Sequence, residues 1–114
     1  MKLITTTAAI ALAGLAASAQ ASIPMLQAEA MARVEEKLII NTPIAGIENR
    51  FWFDYRIDIT EAQKELRSDL NRASDLEDIS DAWEEYADEL KGEREHYIEE
   101  MAERGYRYVT VTVG

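Results

Sequence analysis

The sequence predicts a small single α+β domain with the element order α-β-α-α-β, a helical hairpin packed on a short antiparallel sheet. Three observations predict it. Arg50 to Ile59 alternates between apolar and polar residues, Tyr106 to Val113 alternates again, and the stretch between them carries two apolar stripes at helical spacing. Two helices between two strands return the chain to the end it left, so antiparallel pairing of the strands is the simplest closure.

The chain opens with a targeting signal. Met1-Lys2 is a short positive start, Leu3 to Ala17 carries no charge, and Ser18-Ala19-Gln20-Ala21 has the small-x-small form that signal peptidases read. An apolar run this short and this rich in Ala and Thr falls below the ~20 residues a membrane span needs. Residues 1–21 are therefore expected to be a signal peptide cleaved after Ala21, and 22–114 a single acidic domain. No Cys stands near the cleavage point to take a lipid. The expected destination is the periplasm or the outside of a bacterial cell.

Removing residues 1–21 takes away Lys2 and no acid, leaving 93 residues with 11 basic and 22 acidic side chains. That balance disfavours nucleic acid and anionic membrane surfaces, which recruit Lys and Arg. The chain has no Cys. It therefore has no disulfides, thiol nucleophiles or thiolate metal sites, and a small exported domain without staples has to pack well or assemble.

The first predicted helix runs from Met25 to about Leu38, with Leu26, Ala30, Val34 and Leu38 on its inner face and Pro24 at its start. Residues 38–47 are apolar but broken by Asn41, Pro43 and Gly46, and read as an irregular connection with at most a short edge strand. In the strand predicted for Arg50 to Ile59, Phe51, Phe53, Tyr55, Ile57 and Ile59 face the core. Trp52 lies on its polar face among Asp54, Arg56 and Asp58.

Thr60-Glu61-Ala62-Gln63 has the form of a capping box and predicts the start of a second helix, with Ala62, Leu66, Leu70 and Ala73 inside. Ser74 to Asp78 is the predicted turn. Ser80 is the predicted N-cap of a third helix, whose stripe holds Trp83, Tyr86, Ala87, Leu90, Tyr97, Ile98 and Met101. Gly105 ends that helix as a left-handed cap.

Candidate chemistry is sparse. Glu93-Arg94-Glu95-His96 has the Glu-x-x-His form of di-iron bundles. With Trp83 at zero on the helical wheel, His96 falls at about 220°, pointing to solvent, and no metal site is expected. The acidic turn of Asp75, Glu77, Asp78 and Asp81 lacks the spacing of a calcium loop and suits helix capping better. No nucleophile–base arrangement and no cofactor motif is present, so neither catalytic residues nor a cofactor are expected.

Arg94 interrupts the apolar stripe. It is expected to reach out to Asp58, Glu61 or Glu65, or to anchor an anionic ligand or a partner's carboxylate. Asp69, on the inner side of the second helix, should face about residue 85. Tyr108-Val109-Thr110-Val111-Thr112-Val113 is uncharged and β-prone, a template for pairing if it lies at an open edge. Partner-binding candidates are therefore Trp52, Arg94, Tyr108, Thr110 and Thr112. The expected function is that of an exported, non-enzymatic interaction protein that binds a protein partner or self-associates. The alternative is a small-ligand or cation-binding module of the cell envelope.

Overall fold

The computed structural model describes residues 25–109, and every described element is helical. Helix α1 spans Gln27–Lys37, a 3-10 turn comes next at Ile44–Gly46, α2 spans Arg50–Arg72 and α3 spans Leu76–Glu103. The predicted α+β fold is corrected on this point: no strand occurs among the described residues. The predicted signal peptide and residues 110–114 lie outside them.

The segment predicted as the first strand is the first half of α2. Residues 50–59 satisfy two periods at once. Phe51, Phe53, Tyr55, Ile57 and Ile59 alternate, while Trp52, Tyr55, Ile59, Ala62 and Leu66 fall on one helical face. The helical period wins because it continues for two more turns past Ile59, with no Gly or Pro between Arg50 and Arg72. A helix also closes its backbone hydrogen bonds locally, whereas a strand here would need a partner.

The N-cap of α2 lies earlier than the sequence predicts. Asn49 accepts from the amide of Trp52 at 3.1 Å, which places the cap eleven residues before Thr60. Thr60 lies within the helix, and its hydroxyl donates to the Arg56 carbonyl at 2.9 Å. The capping-box reading of residues 60–63 is thus overturned.

Helix α3 likewise begins before the predicted Ser80. Asp75 accepts from the Asp78 amide at 2.8 Å, and Asp78 in turn accepts from the amide and hydroxyl of Ser74 at 3.1 and 3.0 Å. Only residues 73–75 separate the two helices. The far end agrees with the expectation for Gly105. At φ 89° it turns the chain so that its own amide reaches Ala102 O and that of Tyr106 reaches Met101 O, both at 2.9 Å. Beyond it, Tyr106 to Val109 form no strand, which corrects the described part of the second predicted one.

The helices run up, down and up. Antiparallel pairing of α2 with α3 sets Asn49 against Met101, Tyr55 against Tyr97 and Glu65 against Glu85 and Glu89. Helix α1 lies on the other flank of α3, with Glu36 at Tyr86 and Glu35 at Arg94. The long α3, about 42 Å at 1.5 Å per residue, is the post on which both neighbours pack.

The core is aromatic. Tyr55 and Tyr97 stack at 4.8 Å between ring centres, and Trp52 lies 5.9 Å from Tyr97. The two tyrosine hydroxyls accept from the amides of Ile40 and Ile44, at 2.9 and 3.0 Å, and so tie the irregular connection to the hairpin. Helix α1 is turned the other way from its prediction. Ala32 is fully buried, Leu26 is half-buried, and Val34 and Leu38 face outward. The side facing α3 carries small and acidic residues because Arg94 and the Tyr86 hydroxyl lie opposite it. No helix among the described residues is long and apolar enough to cross a membrane.

Candidate functional site

The structure disperses the predicted partner-binding residues. Trp52 is 4% exposed and belongs to the core, because the α2 face that buries Tyr55 and Ile59 buries it too. Arg94 is held inside the fold by Glu35 of α1 at 2.5 Å, its side chain only 14% exposed. Its partner is thus none of the three carboxylates expected. Tyr108 sits past the end of α3, over a third exposed. Thr110 and Thr112 lie outside the described residues.

What the helical form of α2 exposes is different. Phe53 and Ile57, one turn apart, are 52% and 54% exposed. They line a shallow depression of about 450 Å³ whose polar rim includes Arg56, Thr60, Glu61 and Lys64. Both are core positions if the segment is a strand. The signal that finds them is the 3.6-residue period through Trp52, Tyr55 and Ile59, which leaves 53 and 57 off the inner face. A second apolar set, Met31, Val34 and Leu38, stands out from α1.

Between α2 and α3 runs a groove of about 510 Å³, floored by Tyr55 and Tyr97, with Asp58, Glu93 and His96 along it. His96 is exposed, as expected, while Glu93 is half-buried against α2. Burial, and after it a hydrogen bond with Asp58, pushes the Glu93 carboxyl up. Among the described residues, no Ser or Thr lines the groove.

Further along the hairpin, Glu65, Glu85 and Glu89 bring one carboxylate oxygen each within 4.8 Å of one another. Asp69 lies beside Glu85, the position expected for it. Burial, reinforced by the neighbouring carboxylates, pushes Glu89 up to about 7. Glu85 is pushed up chiefly by Glu65. The arrangement holds a proton among like charges at neutral pH.

That proton couples the cluster to stability. The folded chain keeps a proton on Glu89 that the unfolded chain releases near 4.5. Its contribution is therefore full below that pH and lost as pH rises through about 7. Glu89→Gln should leave thermal stability near pH 4 unchanged. At pH 8 it should raise stability by about 1–2 kcal/mol, a figure reduced for partial exposure. Thermal melts of both proteins across pH 4 to 8 check this, and parallel curves would refute it.

Charge is distributed unevenly between the helices. Twelve acidic and two basic residues fall on α3, against five of each on α2. The protein defined by these features is a small helical one, a two-helix hairpin with a shorter helix clasped to its long member. Compared with protein-family models, with curated proteins and with solved structures, the chain matches none.

Proposed function

We propose that this chain is an exported, non-enzymatic interaction protein, acting in the periplasm or outside the cell, and that the outward face of α2 is its contact surface. The observation that carries the proposal is the pair Phe53 and Ile57, each more than half exposed and one turn apart on a rigid helix. Burying the exposed half of each of these two side chains against a partner is worth about 1.5–3 kcal/mol of transfer free energy before the costs of association. Cations at Arg56, Lys64 and Arg67 around an apolar centre resemble the polar rim of a protein contact. The leader segment supports export.

The test is site-specific photocrosslinking in the producing cell, with a benzophenone side chain at position 53. One discrete adduct is expected, and its loss on Ile57→Asp ties it to this face. An adduct of twice the chain's mass assigns self-association, and a different mass assigns a heterologous partner. Absence of any adduct at both 53 and 57 removes the proposal.

A further inference from the structure

The outward faces of α2 and α3 are opposite in charge. On α2, Phe53, Arg56, Ile57, Thr60, Lys64 and Arg67 share one exposed strip that contains no carboxylate, with Glu61 at its margin. On α3, Glu77, Asp81, Glu84, Asp88, Glu95 and Glu99 share an exposed strip without a cation, with Lys91 at its margin. Among the described residues, none of these charges belongs to an ion pair within the chain. Each strip lacks what the other supplies.

Gly92 is the independent observation. It stands in the middle of α3 at the edge of the acidic strip, where glycine costs about 1 kcal/mol relative to alanine. A Cβ at this position would meet nothing within 4 Å. Packing inside this chain therefore gives no reason for the missing side chain. On an exposed helix face, the dimple left by a glycine admits a bulky group from another molecule close to the backbone.

We propose that the α2 strip of one molecule docks on the α3 strip of a second copy. This rests on the interaction role proposed for the chain and names its partner. The α2 strip from Phe53 to Arg67, about 21 Å long, fits within the α3 strip from Glu77 to Glu99, about 33 Å long. Laid antiparallel with Ile57 over Gly92, Lys64 falls beside Glu84, and Arg67 beside Asp81. Every molecule offers both strips, so the contact is head-to-tail and continues beyond a dimer unless the ring closes. Being electrostatic at its rim, it weakens with salt.

Sedimentation of the chain from Ser22 onward, which holds every described residue, tests this. At low salt the average mass should rise with protein concentration, and about 0.5 M salt should return it towards the monomer. The charge reversals Arg56→Glu/Lys64→Glu/Arg67→Glu and Asp81→Lys/Asp88→Lys should each give a monomer when alone. Mixed in equal amounts, they should associate again, because each retains the strip the other lost and the two reversed strips are themselves opposite in charge. Gly92→Leu should block association with no change of charge, while circular dichroism confirms the helices in all variants.

Association that survives either charge reversal alone, or a mixture that stays monomeric while the unmutated chain associates, overturns the proposal. So does a chain that is monomeric at low salt throughout the micromolar range. In that last case a position-53 adduct of heterologous mass would still uphold the interaction role, so the two failures are distinguishable.

Discussion

Tyr97→Ala should destabilise the fold by about 3–5 kcal/mol, the range for removing a large buried ring. Tyr97 is among the largest fully buried side chains, stacked on Tyr55 and in contact with Trp52. Its hydroxyl does separate work. It accepts from the Ile44 amide at 3.0 Å, at the head of the 3-10 turn. In Tyr97→Phe the ring stays but the buried amide loses its acceptor, a cost of about 1–3 kcal/mol. At this chain length that lowers the melting temperature by roughly 4–8 °C per kcal/mol. Denaturant melts of the two variants separate packing from hydrogen bonding. If Tyr97→Phe matches the unmutated protein while Tyr97→Ala does not, the hydroxyl contributes nothing and the connection is held by Ile40 and Ile44 packing alone.

The stripe that Tyr97 belongs to was legible in the sequence, and so was the glycine cap that ends it. A 28-residue helix repeats its pattern often enough to exclude other periods. The same is true of the inner face from Ala62 to Leu70. Residues 50–59 were ambiguous for a physical reason. When at least half of ten positions are large and apolar, both the two-residue and the 3.6-residue period find support over so short a window. The choice is then made outside the window, by uninterrupted helix formers as far as Arg72 and by the Asn49 side chain that starts the turn.

The contact surface moves with that choice. As a strand, the segment sends Phe53 and Ile57 inward and Trp52 outward. As a helix it does the reverse. The face of α1 was hidden for another reason. Its apolar positions at 26, 30, 34 and 38 form a clean stripe, but the α3 surface it meets offers an arginine and a tyrosine hydroxyl. Orientation is settled by what lies opposite, which the sequence of α1 alone does not contain.

Arg94→Ala should cost about 2–3 kcal/mol, between the value of an exposed ion pair and that of a fully buried one. The guanidinium lies in the apolar stripe of α3 and meets Glu35 with both side chains less than one-fifth exposed. Removing it leaves a carboxylate facing the seam between α1 and α3 with no cation opposite. The loss should be larger than for Arg33→Ala, whose partners Glu29 and Glu36 are more open to water. It should also concentrate in α1, because α2 and α3 keep the aromatic core between them. Amide exchange should accelerate across Gln27–Lys37 while the protection of α3 around Leu90 holds. The double variant Arg94→Met/Glu35→Met separates charge from packing, since replacing both members of a partly buried pair by apolar groups of similar size is often neutral. Its stability should return to within about 1 kcal/mol of the unmutated chain, a coupling of the size expected between residues in contact. If the double variant is as unstable as Arg94→Ala, the pair is not what holds α1 in place. That role would pass to Ala32 and to the Tyr86 hydroxyl, which donates to Glu36 at 2.7 Å.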